Sequence, residues 1–127
     1  MSAEKVDKTI EISLLADFYG DLLTPRQREL LMLYYEENYT LAEIAEELSI
    51  TRQAVHLSIQ KTEAILHDYE AKLGVVRRYQ AISELAEHAL DALDALQSHL
   101  DSDVYGNDVI AAARFDEIRK NLLQMKE

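Results

Sequence analysis

The chain has 127 residues and a formal net charge of −11, is 48% hydrophobic, and contains three Gly, one Pro and no Cys. That length suits one domain, or a small domain with an extension, and few breakers with clear 3.6-residue periodicity point to an all-α fold. The lack of Cys excludes disulfides and thiolate metal sites, and no apolar run approaches the ~20 residues that cross a bilayer. The charge works against a polyanion partner over most of the surface, so nucleic-acid binding requires a local basic face.

The first residues, MSAEKVDKTIEIS, lack a basic start followed by an apolar stretch, so no signal peptide is expected and the chain reads as cytoplasmic. A first helix is expected from Asp7 to Leu23, with an apolar stripe of Leu14, Leu15, Phe18, Tyr19, Leu22 and Leu23. Thr24, Pro25 and Gln27 then start a second helix: an oxygen cap, a proline in the first turn, and a partner that completes a capping box. Its apolar residues are Leu30, Leu31, Leu33, Tyr34 and Tyr35, and Asn38 ends it. Arg26 and Arg28 lie on its first turn, against the usual preference for acids there. They form either a phosphate clamp aided by free backbone N–H groups or a solvated basic pair.

The stretch TLAEIAEELSITRQAVHLSIQKT, residues 40–62, organises the rest. Thr40 and Glu43 form a capping box, flanked by Tyr39 and Ile44 as a hydrophobic staple. Leu41, Ile44, Ala45 and Leu48 share one face, Ser49 and Ile50 interrupt the pattern, and Thr51 caps a further helix. Small Ala45 and Ala54 let two helices cross closely and steeply, as in a helix-turn-helix. An ordinary helical hairpin is the plainer alternative. Ser49 occupies a position that favours a left-handed backbone, at a cost of roughly 1 kcal/mol for a non-glycine residue.

Turning Ala54, Val55 and Ile59 inward turns Arg52, Gln53, His56, Leu57, Gln60 and Lys61 outward. Arg and Gln at a helix N-terminus suit guanine and adenine edges in the major groove. Arg52, Gln53, His56 and Leu57 are therefore candidates for base contact, and Arg26, Arg28 and Lys61 for phosphate contact. Between Thr51 and Thr62 there are two fixed positive charges and no acid, while acids flank the window on both sides.

The second helix of the motif continues: Val55, Ile59, Thr62, Leu66, Tyr69 and Leu73 form a heptad seam, with Gly74 as C-cap. A helix of about 22 residues, ~33 Å long, outruns a compact three-helix core, and its partner is expected downstream. Tyr79, Ile82, Ala86, Ala89, Leu93, Leu96 and Leu100 supply a matching seam. The stretch DSDVYGND breaks it, and Asn107 or Asp108 caps a last helix with Ala111, Phe115, Ile118, Leu122 and Met125. Apolar residues outside these seams, including Leu85, Leu90 and Leu123, point to burial in a homodimer. The expected organisation is a helix-turn-helix domain over 1–74 and a helical, dimerising extension over 75–127.

The four His are His56, His67, His88 and His99; Glu84, His88 and Asp91 share one helical face, and a solvated face explains that cluster better than a metal site. No glycine-rich phosphate loop, nucleophile elbow or His-paired nucleophile is present, so neither a cofactor nor an enzymatic activity is expected.

Residues 17–73, through DFY, LLT, LYY, TLAEIAEE, TRQAV and KTE, resemble the YlxM family of small bacterial helix-turn-helix proteins. More distantly the stretch is similar to region 4 of bacterial sigma factors, a likeness that implies base-facing positions for Arg52, Gln53, His56 and Leu57. Members of the YlxM family are typically encoded beside the signal recognition particle protein gene. The resemblance therefore implies a DNA-binding regulator linked to that targeting pathway. An acidic helical adaptor that docks the targeting particle or a basic protein is the alternative. RNA binding ranks third, because no aromatic stacking platform lies on the outward face.

Overall fold

The computed structural model describes residues 3–100 and 109–126. Among the described residues the fold is all-α, with no strand: α1 Ala3–Tyr19, α2 Pro25–Leu31, α3 Leu41–Leu48, α4 Arg52–Leu73, α5 Val75–Leu100 and α6 Val109–Lys126. A 3-10 turn, Gly20–Leu22, follows α1, and a π turn, Met32–Glu36, prolongs α2. The chain forms two compact units, one ending at Val76 and one beginning at Arg77. The break expected at 101–108, with its caps Asn107 or Asp108, lies outside the described residues.

The first unit is built on local caps. Thr24 accepts from the Gln27 backbone N–H while the Gln27 side chain accepts from that of Thr24, and Thr40 and Glu43 repeat the exchange. Thr51 accepts from the Ala54 N–H. Ser49 is left-handed at φ 56°, the turn conformation expected between the two helices of the motif. Gly74 closes α4 in the same region at φ 62°.

Three expectations about packing change. The buried stripe of α1 is Ile12, Leu15 and Tyr19, continued by Leu23; Phe18 and Leu22 are exposed. The α-helical winding stops at Tyr19, and the tighter 3-10 turn rotates Leu22 away from the core. The second helix is not uniform either. From Met32 the winding widens, with the Glu37 N–H donating to the Met32 carbonyl five residues back. Leu30, Leu31, Leu33 and Tyr35 span too broad an arc for one α-helical face, and the wider turn lets all four reach the core.

The third change concerns α4. Its seam is buried from Val55 through Ile59 and Thr62 to Leu66, and α1, which precedes it in the chain, packs along its distal turns. The Tyr19 and Tyr69 rings sit 5.8 Å apart between the two helices. The Tyr19 hydroxyl donates to Glu70 Oε1 at 2.6 Å and accepts from the Val75 N–H at 3.1 Å. Glu70 Oε1 also accepts from the Val76 N–H at 3.0 Å. Side chains of α1 and α4 thus satisfy the first free N–H groups of α5. Burial and the Glu70 carboxylate hold the Tyr19 phenol protonated above its ordinary range.

In the second unit, residues from Arg77 along α5 pair with α6. The Tyr79 hydroxyl donates to the Lys126 carbonyl at 3.0 Å, and Arg119 donates to Asp94 at 2.6 Å and to Gln97 at 2.7 Å. Ala86 and Leu93 are buried as expected of the α5 seam, but Ile82 and Leu96 are exposed. Half-buried Tyr79, Ser83, Leu90 and Gln97 stand beside the buried pair instead. The apolar arc of α5 is wider than one neighbouring helix covers, so periodicity alone leaves the seam's register open.

Candidate nucleic-acid interface

The second helix of the motif presents its first three turns to solvent. Val55 and Ile59 anchor it in the core, and the 3.6-residue period then places Arg52, Gln53, His56, Leu57, Gln60 and Lys61 outside; all six are exposed. Leu57 keeps 53% of its surface in water, a large apolar side chain with no covering element. Nothing acidic stands on α4 before Glu63.

The pairing of charges sets this strip apart. Within the first unit Lys8 lies 3.2 Å from Glu63, Arg26 3.8 Å from Glu29, Arg28 2.8 Å from Asp21 and Lys72 2.8 Å from Asp68. Among the described residues of that unit, Arg52 and Lys61 have no ion-pair partner. Arg26 and Arg28 share the first turn of α2, but each meets an acid of its own. Arg28 also lines a different recess, of ~240 Å³, with Asp17, Leu31 and Glu36. The structure therefore unites the four base-contact candidates and Lys61 on one helix, and leaves Arg26 and Arg28 on another.

Arg52 has a second feature that periodicity does not show. It lines a recess of ~250 Å³ with Tyr34, Asn38, Tyr39, Thr40 and Leu41, at the capped N-terminus of α3. A guanidinium beside a helix N-terminus suits an anion such as a phosphate oxygen. Tyr34 and Asn38 arrive there through the π turn and a left-handed Asn38 at φ 58°, neither of which announces itself in the sequence.

The electrostatics change one helix earlier. Glu43, Glu46 and Glu47 are exposed on α3 around Tyr39. Glu47 foremost, with burial and with Glu37 and Glu43, pushes the Tyr39 phenol above its ordinary value. The motif is thus divided: an acidic outer face on α3 and a neutral-to-cationic face on the start of α4. Glu84, His88 and Asp91 are exposed on α5 in the other unit. No helix among the described residues is long and apolar enough to cross a membrane.

The model of a family described as "Putative helix-turn-helix protein, YlxM / p13 like" matches residues 6–103. The chain is similar to a UPF0122 protein of Geobacillus kaustophilus, 41% identical over 113 residues, covering 89% of this chain and 96% of that one. A UPF0122 protein of Anoxybacillus flavithermus is 38% identical over 122 residues, covering 96% and 97%. One from Symbiobacterium thermophilum is 49% identical over 83 residues, covering 65% and 78%.

Proposed function

The chain belongs to the YlxM / p13-like helix-turn-helix family, and from that premise we propose that it is a DNA-binding regulator reading duplex DNA with the start of α4. Arg52 and Gln53 contact base edges, His56 and Leu57 extend that contact along the groove, and Lys61 holds a phosphate. Arg26 and Arg28 join as phosphate contacts by exchanging Glu29 and Asp21 for the backbone. The observation that carries the reading is the freedom of Arg52 and Lys61 in a unit whose other described cations are ion-paired. A homodimer presents two such helices to half-sites about 34 Å apart. The place in the signal recognition particle pathway is supported by the family resemblance alone.

A second reading draws on the acidic half of the motif. The glutamates around Tyr39, with a net charge of −11, suit a basic protein partner, and an adaptor of that kind has no need of DNA.

Selection from a random duplex library at low salt tests the first reading. The expected outcome is an enriched sequence whose affinity falls with salt, and whose salt slope drops by about one unit in Lys61→Ala. Failure to enrich any duplex, alongside salt-sensitive capture of a basic protein, favours the adaptor.

A further inference from the structure

We infer that α5 carries a second helix-pairing seam, Ile82–Leu85–Ala89–Ala92–Leu96, and that its occupant is the same seam of a second copy of this chain. This deepens the homodimer part of the reading above by naming its surface. At 3.6 residues per turn, α5 divides into three sectors. Tyr79, Ser83, Ala86, Leu90, Leu93 and Gln97 share the sector that includes Ala86 and Leu93, the buried residues of α5 beyond Val76. Glu84, Glu87, Asp91 and Asp94 lie on the opposite, exposed sector. Between them runs the proposed seam at spacings of three, four, three and four, the heptad rhythm of helix pairing. The two apolar sectors together span roughly 180° of the helix, more than one neighbour covers.

Exposure supports the assignment. Ile82 keeps 37% of its surface in water, Leu85 66% and Leu96 50%. The inner sector is meanwhile poor in apolar bulk. Only Ala86 and Leu93 are buried in it, and the Ser83 hydroxyl is buried with no hydrogen-bond partner among the described residues. A two-helix hairpin so thinly filled needs further burial to be stable.

The chemistry of the seam selects the occupant. Its flank is Ala81, His88 and Ala95, so no carboxylate borders it, and Ala89 and Ala92 at its centre allow close helix approach. A basic partner finds no acid there to pair with. An uncharged, heptad-spaced helix with small central residues is what fits, and α5 itself is one. Two copies bring like net charge together, so salt strengthens this contact, where it weakens one with a basic partner.

Sedimentation of the full chain at high micromolar concentration tests the inference without any nucleic acid. The expected result is a dimer that tightens as salt rises. Leu85→Glu with Leu96→Glu, both at exposed sites, should weaken association by about 100-fold at unchanged helicity, since each carboxylate is buried only in the dimer. The chain has no Cys, so single-cysteine variants report the face directly. At least one of positions 82, 85, 89, 92 and 96 should cross-link between copies on oxidation, and none of 84, 87, 91 and 94. A monomeric wild type, a dimer indifferent to both glutamates, or cross-linking through the acidic sector overturns the inference. Any of these leaves the groove-reading role of α4 standing, because library enrichment measures that role separately.

Discussion

From Thr62 onward α4 is held by its neighbours, whereas from Arg52 to Lys61 it is held only by the residues beneath it. In the distal half Glu63 receives the Tyr35 hydroxyl and an ion pair from Lys8, His67 faces Glu11 at 3.5 Å, and Glu70 joins Tyr19 to the start of α5. In the proximal half the cations have no acid and Leu57 has no cover. One continuous helix is thus an anchor at one end and a free edge at the other. The difference teaches where each kind of substitution should be felt: distal changes and the inward Val55 and Ile59 in stability, changes on the outward proximal face in binding.

The largest expected effect is in the anchor. Leu66 has no exposed surface, and Leu66→Ala should cost ~2–5 kcal/mol of unfolding free energy by chemical denaturation. A smaller loss should follow Glu70→Ala, ~1.5–3 kcal/mol for hydrogen bonds to a charged acceptor, with faster amide exchange at Val75 and Val76. On the free edge the pattern should invert. Arg52→Ala should weaken binding to a selected duplex by ~1–3 kcal/mol and relax one base preference, with the melting temperature unchanged. A melting shift as large as that of Leu66→Ala would erase the contrast between the halves. The smallest change sharpens it at the turn. Ser49 holds a left-handed backbone, so Ser49→Gly should stabilise the chain by about 1 kcal/mol in thermal melts and leave duplex affinity alone.

How much of this was legible in the sequence depends on the range of the interaction. Caps at Thr24, Thr40 and Thr51 follow from rules that reach three residues, and the structure has all three. The outward placement of Arg52, Gln53, His56, Leu57 and Lys61 is similarly local, because the buried seam of α4 dictates it. The distal partner of α4 was not legible. Tyr19 and Glu70 are 51 positions apart, and a heptad seam states that a partner exists without stating which. The π turn was hidden because a dense apolar run, Leu30 to Tyr35, fits several windings. The recess that brings Tyr34 and Asn38 to Arg52 was hidden with it. On α5 two apolar sectors of similar strength overlapped, and the pattern merged them into one seam.

The central claim is that the first three turns of α4 are the face offered to a polynucleotide. Backbone amide shifts of the intact chain, followed as a selected duplex is added at low salt, test it most directly. Shifts gathered on residues 51–61, with residues 62–73 unmoved and the effect lost in Arg52→Ala, are the predicted result. Shifts gathered on the glutamate face of α3 or on α5 and α6, with residues 51–61 silent, would contradict it.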